Sequence, residues 1–253
     1  MNSIPHFGVI IIGDEILSGN HQDAHLSQVI VILKARGLSL AWAEYLGDDP
    51  EHVTAVFNLS MATNNVVFSF GGIGATPDDH TRQSAATAAG LPLEQHAGAV
   101  AEIEAQFGEA AYPKRVLMAN LPKGAALIPN PVNRVAGFSV GHHHFLPGFP
   151  QMAWPMMEWV LDTHYPHMQH LVQGAEQAII VRGAMESLLL DVMNDCVARF
   201  PGLKLFSLPH LGPGERWIEL GVRGDKQQVP QAMQLLKQGV SALGFAWEDR
   251  AGN

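Results

Sequence analysis

Hydrophobic and polar positions alternate along the first half of the chain in a regular order. Residues 7–12 form an unbroken apolar, β-branched run that stops at Gly13, which predicts a strand buried on both faces. Asp23 then caps a predicted helix with Leu26, Val29, Ile30 and Leu33 on one face, ending at Gly37. Residues 38–46 read as a second strand. Asp49-Pro50 starts a helix, Asp as the cap and Pro at the first turn, with Val53, Val56, Phe57, Ser60 and Met61 facing inward. A third buried strand, 66–70, ends in Gly71-Gly72-Ile73-Gly74 and precedes a helix over 82–89. Strands alternating with helices predict a mostly parallel sheet with helices on both faces. Residues 94–107 read as helical. Residues 111–150 read as short strands and turns, interrupted by Pro122, Pro129, Pro131, Pro147 and Pro150.

Residues 151–161 form a helix rich in Met and Trp. Met152, Trp154, Met156, Met157 and Trp159 exceed what one helix face needs, so core packing and a subunit contact are both open. The polar stretch 164–173 reads as a linker. Beyond it the order is strand 178–181, helix 186–198 with Leu189, Val192, Met193 and Val197 inward, strands 203–207 and 217–222, helix 229–243 and strand 245–247. Gly212-Pro213-Gly214 reads as the turn between the two middle strands. This order is the ferredoxin-like pattern. The expectation is an α/β domain over 1–165 and a smaller α+β domain over 174–250 that serves assembly.

Composition narrows the function classes. The 253 residues carry a formal net charge of −9 and one cysteine, Cys196. No internal disulfide or cysteine metal cluster follows from one cysteine. The acidic balance argues against nucleic acid as a partner. The apolar runs fall well below the roughly 18–20 residues a membrane span requires, and no basic stretch precedes the first run. The sequence therefore reads as a cytoplasmic, soluble chain. Residues 1–165 hold fifteen acids against seven bases, and the rest nine against eight.

Parallel sheets bind ligands beyond the carboxyl ends of their strands, which selects the loops 13–19, 47–51 and 71–81. In the segment from Gly71 to Thr81, glycines let backbone N–H groups approach an anion, and the next helix adds its positive end. Asp78-Asp79 beside such a cradle makes sense if a divalent cation bridges carboxylates and phosphate. An ordinary loop capped by Asp79 is the plainer alternative. Gly13-Asp14-Glu15-Ile16-Leu17-Ser18-Gly19 and Gly47-Asp48-Asp49 each bring a further pair of acids to the same edge, although Asp49 is also a good helix cap. His142-His143-His144 reads as the polar edge of a hairpin, and His164, His167 and His170 as solvated linker residues. His80 lies inside the glycine-rich loop.

Those three motifs and Leu146-Pro147-Gly148-Phe149-Pro150, in this order, resemble the molybdopterin-binding (molybdenum cofactor biosynthesis) domain. The similar branches are the amino-terminal part of competence/damage-inducible protein A and the related domain of FAD synthases. The resemblance implies a three-layer α/β/α fold with a pterin or nucleotide-phosphate pocket, followed by the small α/β domain. It implies Asp48, Asp78 and Asp79 as catalytic groups and Asp14, Glu15, Asp78 and Asp79 as holders of magnesium, cobalt or manganese. It implies Gly13, Ser69, Gly71, Gly72, Gly74, Thr76, Thr81, Pro147 and Gly148 around the ligand. Phe70 stands where the family usually has Thr, Leu117-Met118 replaces a Lys-Gln pair, and residues 133–137 replace a Gly-Thr-Ala-Pro-Gly stretch. Arg134 is placed to bind a phosphate in compensation.

Relatives nearest in pattern imply metal-dependent pyrophosphatase action on a dinucleotide such as ADP-ribose or FAD. A non-catalytic pterin- or nucleotide-binding module and a molybdopterin adenylyltransferase are the alternatives. No segment resembles the nicotinamide-nucleotide amidase domain of longer members. A homo-oligomer is expected, a dimer before a trimer.

Overall fold

The computed structural model describes residues 6–170, 174–212 and 216–250. The chain divides into two compact units, residues 1–169 and 170–253.

The first unit opens with β1 (Phe7–Ile12), whose six residues are all buried, and the single turn α1 (Asp14–Leu17). Next come α2 (His25–Ala35), β2 (Leu40–Leu46), α3 (Pro50–Met61), β3 (Val66–Phe70) and α4 (Thr81–Ala88). A small hairpin of β4 (Leu93–Gln95) and β5 (Asn120–Pro122) brackets α5 (Ala97–Phe107). The unit closes with β6 (Ala126–Ile128), β7 (Gly137–Val140), β8 (His143–Leu146) and α6 (Pro150–His164). The main sheet has the order β2-β1-β3-β8-β7-β6. Its first four strands run parallel, and β7 and β6 add an antiparallel edge.

Alternation along the strands sends side chains to two cores. Val9, Ile11, Phe68 and Phe70 meet Val29, Ile32 and Leu33 of α2 and Met156, Met157 and Val160 of α6. Ile10, Ile12, Val67 and Phe145 meet Val53, Val56 and Phe57 of α3, Ala85 of α4 and Ile103 of α5. The result is three layers, α/β/α. Each fully buried Phe contributes on the order of 1.5–3 kcal/mol of transfer energy, and Phe57, Phe68, Phe70, Phe138 and Phe145 are all fully buried.

Several sequence expectations are corrected. On α2 the inward residue is Ile32, while Ile30 is exposed. The start of the helix expected over 94–107 is strand β4. Met156 and Met157 are core residues, and Met152 and Trp154 pack against that core, while Trp159 is partly exposed. The 164–173 stretch is no linker at its start. Tyr165 and Met168 are buried, and Gln169 Nε2 donates to the Leu161 carbonyl at 3.1 Å. Residues 171–173 lie outside the described set.

His143 and His144 are not at a hairpin edge. They sit in β8, between β3 and β7, and both are buried. Burial of His144 is tolerated because Ser139 Oγ and Tyr165 Oη lie 2.8 Å from its two ring nitrogens. Burial pushes the His143 imidazole down to about 4 and that of His144 to about 3.

The second unit holds β9 (Gly174–Arg182), α7 (Glu186–Arg199), β10 (Lys204–Leu211), β11 (Arg216–Asp225), α8 (Gln228–Ala242) and β12 (Trp247–Asp249). Its sheet is antiparallel in the order β10-β11-β9-β12, the ferredoxin-like arrangement. On α7 the inward residue after Met193 is Cys196, while Val197 is exposed. The turn expected at Gly212-Pro213-Gly214 runs into residues outside the described set.

Candidate functional site

Because β2, β1, β3 and β8 are parallel neighbours, the loops that follow them emerge at one sheet edge. Those loops carry Gly47-Asp48, Gly13 to Glu15, Gly71 to Asp79, and Pro147-Gly148. Together they wall a cleft of about 610 Å³.

The floor is the turn after β3. Gly71 has φ 104° and Gly72 φ 67°, both in the region that favours glycine. A Cβ on Gly71 would lie 2.3 Å from the Ile12 carbonyl oxygen, and one on Gly72 would lie 2.3 Å from Thr81 Oγ1. Thr81 holds this turn from behind. Its hydroxyl donates to the Gly71 carbonyl at 2.9 Å and its N–H to the Gly72 carbonyl at 3.0 Å. Among the described residues, the N–H groups of Gly72, Ile73, Gly74 and Ala75 make no hydrogen bond within the chain, and all four residues line the cleft. Such unspent donors are what an anion requires.

Arg82, the second residue of α4, is 5% exposed and lies behind this turn. Its guanidinium donates to the carbonyls of Gly74 and Leu117 at 2.6 Å and of Asn120 at 3.1 Å. Burial pulls its pKa below the ordinary arginine value, with the Asp79 charge opposing.

The carboxylates divide into two groups. Some hold the loops. Asp49 caps α3, accepting from His52 N at 2.7 Å. Asp79 accepts from Thr76 N at 2.8 Å and from the Thr76 hydroxyl. Asp14 accepts from Asp48 N at 3.2 Å, and Asp14 N donates to Asp48 Oδ2 at 2.9 Å, which ties the loops after β1 and β2 together.

Glu15 and Asp78 line the cleft without such a loop-holding bond, and Asp23, Asp48 and Asp79 line it as well. Partial burial raises the Asp48 pKa; the Asp14 N–H opposes this, and the charges of Asp14, Glu15 and Asp78 add to it. The Asp78 carboxyl is held below the ordinary range, first by its closeness to the Thr76 side chain, then by its own N–H and by the His80 charge.

Among the described residues, no three His, Cys, Asp or Glu side chains are grouped to hold a metal by themselves. The donor set fits a different kind of site. Magnesium-like ions are commonly held by one or two carboxylates and completed by phosphate oxygens and water, which Asp48 and Asp78 beside the glycine turn would allow.

Of the residues singled out in the sequence, Gly13, Glu15, Asp48, Gly71, Gly72, Gly74, Thr76, Asp78, Asp79, Pro147 and Gly148 line the cleft. Asp14, Ser69, Thr81 and Arg134 do not. Ser69 is buried within the sheet, and among the described residues its hydroxyl has no hydrogen-bond partner. Arg134, expected at a phosphate, instead donates to Glu102 at 2.7 Å.

His25 went unnoticed in the sequence. It is 5% exposed, lines the cleft, and stacks on Phe70 with ring centroids 4.5 Å apart. Its Nε2 lies 3.0 Å from the Gly148 carbonyl, and a carbonyl only accepts, so Nε2 carries the proton. Burial lowers its pKa, which favours this neutral form. Phe70 therefore occupies core space under His25. Met118 presents an apolar wall to the cleft.

A three-layer α/β/α unit with a glycine-rich cleft at the carboxyl edge of its parallel strands has the architecture of the molybdopterin-binding class. The model of one family, described as the probable molybdopterin binding domain, matches residues 8–170, and the chain belongs to that family. A CinA-like protein of Citrifermentans bemidjiense is 30% identical over 252 residues, covering 96% of this chain and 59% of its own length. The chain thus spans about three-fifths of that relative. A protein of Caldivirga maquilingensis is 30% identical over 205 residues, 77% of each chain. The crystal structure of the protein CinA of unknown function from Thermoplasma acidophilum matches at TM-score 0.57 and 28% identity, over 62% of this chain and 96% of that one. Among the described residues, no helix is long and apolar enough to cross a membrane.

Proposed function

We propose that the cleft binds a phosphate-bearing pterin or nucleotide together with a divalent cation, and that it hydrolyses the pyrophosphate bond of a dinucleotide such as ADP-ribose or FAD. The observation that carries this reading is the pairing of unspent N–H groups at residues 72–75 with Asp48 and Asp78 across one cleft. Donors alone would suit any anion. Carboxylates beside them would repel a phosphate unless a cation lay between.

Asp48 and Asp78 would hold the cation, with Glu15 close by. When bound, the cation supplies neutralisation of charge on the phosphoryl oxygens. Hydrolysis of ADP-ribose adds one water across the P–O–P bridge and releases AMP and ribose 5-phosphate. The N–H groups of Gly72 to Ala75 stabilise negative charge that develops on phosphorus-bound oxygen. Glu15, which lines the cleft with Asp48 and Asp78, would take the proton of the attacking water. Arg82 fixes the turn and keeps a positive charge behind it.

The test is incubation of the full chain with ADP-ribose or FAD and magnesium, cobalt or manganese. Metal-dependent AMP release is expected, reduced at least about a hundredfold in Asp78→Asn. Binding without AMP release under every metal would leave the second reading, a module that binds without turnover. Phe70 buried under His25 favours that reading, because it puts a ring where the family usually has a hydroxyl.

A further inference from the structure

The turn between β6 and β7 carries a hydrogen-bond network that fixes two amide side chains. Asn130 is buried, and its Oδ1 accepts from Val132 N at 3.0 Å. Its Nδ2 donates to the Val135 carbonyl at 3.0 Å and to Asn133 Oδ1 at 2.8 Å. Asn133 Oδ1 also accepts from Val135 N at 3.0 Å. Every acceptor in this set meets a donor, so neither amide can flip without losing bonds. Arg134, directly after Asn133, holds a left-handed backbone with φ 61°, which only a constrained turn imposes on a non-glycine residue.

One group is left over. Among the described residues the two N–H donors of Asn133 Nδ2 make no hydrogen bond within the chain. Asn133 lines the cleft beside apolar Phe107, Met118 and Val135. Apolar walls with one fixed donor pair suit a flat ring that presents an acceptor at its edge.

We propose that Asn133 is a specificity-determining residue that donates to a ring nitrogen or carbonyl of the ligand's heteroaromatic end. This rests on the proposed binding of a phosphate-bearing pterin or nucleotide in the same cleft. It assigns the ligand a ring with an acceptor edge and leaves the phosphate end to residues 72–75.

Asn133→Asp is the informative variant. It is nearly isosteric, keeps Oδ1 as acceptor for Asn130 and Val135, and replaces the free donors by a carboxylate oxygen. Asn133→Ala removes the donors without adding charge, together with the Oδ1 that accepts from Asn130 and Val135, so a lower melting temperature is expected for this variant alone. Calorimetric titration of the full chain in magnesium would compare inorganic pyrophosphate with ADP, GDP and FAD, and melting temperatures would verify folding.

The wild type should bind at least one ring-bearing probe about tenfold or more tighter than pyrophosphate. Both variants should lose that preference and keep pyrophosphate affinity within about threefold. A preference that survives in both variants overturns the role of Asn133. So does equal weakening of all probes, which would mark a loop-shaping residue, or the lack of any ring preference in the wild type. No binding of pyrophosphate or any other probe would overturn the proposed function as well.

Discussion

At the scale of single residues, the cleft is built by groups that spend their hydrogen bonds on loops so that others stay free. Gly72 is the sharpest case. With φ 67° and the Thr81 hydroxyl 2.3 Å from any added Cβ, Gly72→Ala must strain the backbone and displace Thr81. We expect at least a tenfold loss of pyrophosphate affinity and a lower melting temperature, measured by calorimetry and thermal unfolding. Arg82→Met would leave the carbonyls of Gly74, Leu117 and Asn120 without their donor. A loss of roughly 2–4 kcal/mol in urea unfolding is the expected result, and an unchanged midpoint would show that water replaces the guanidinium. Neither Arg82 nor His25 stands out in the sequence. Each sits in the first turn of a helix among other polar residues, and only tertiary packing places one behind the glycine turn and the other on Phe70. The acids were more legible, because pairs of carboxylates after strands can be read directly. Which of them hold loops and which face the cleft depends on distances between loops that no spacing encodes.

At the scale of elements, parallel pairing of β2, β1, β3 and β8 makes the site. The long apolar runs of β1 and β3 were legible because strands buried on both faces have no polar alternation. The sequence reading of β8 failed on its two histidines: the partners of His144, Ser139 and Tyr165, come from β7 and from beyond α6, and His143 is buried against Phe57 of α3. Strand β4 was absorbed into a helix because it is three exposed residues long. Buried His143 and His144 also carry a stability signature. In the unfolded chain both titrate near 6.5, and in the fold only near 4 and 3. Below pH 6.5 the unfolded chain therefore binds protons that the fold excludes. Stability should be full above that pH and fall as pH drops toward 4, by about 1.4 kcal/mol per unit for each histidine. Urea midpoints between pH 7 and pH 4.5 would check this, and His144→Gln should flatten the slope by one proton.

At the scale of the whole molecule, the net charge of −9 is concentrated before residue 166, and five of those acids, Glu15, Asp23, Asp48, Asp78 and Asp79, line the cleft. The lining residues all belong to the first unit, which has its own two cores. We therefore expect residues 1–169, expressed alone, to keep the full chain's pyrophosphate affinity within about threefold; a larger loss would assign the second unit a part in binding.

The most direct test of the central claim is the linkage between cation and phosphate in one cleft. Calorimetric titration of the non-hydrolysable methylene analogue of ADP-ribose into the full chain should show affinity at least tenfold higher with magnesium than with EDTA, and Asp78→Asn should abolish the difference. Equal affinity with and without magnesium, cobalt or manganese in the wild type would contradict it.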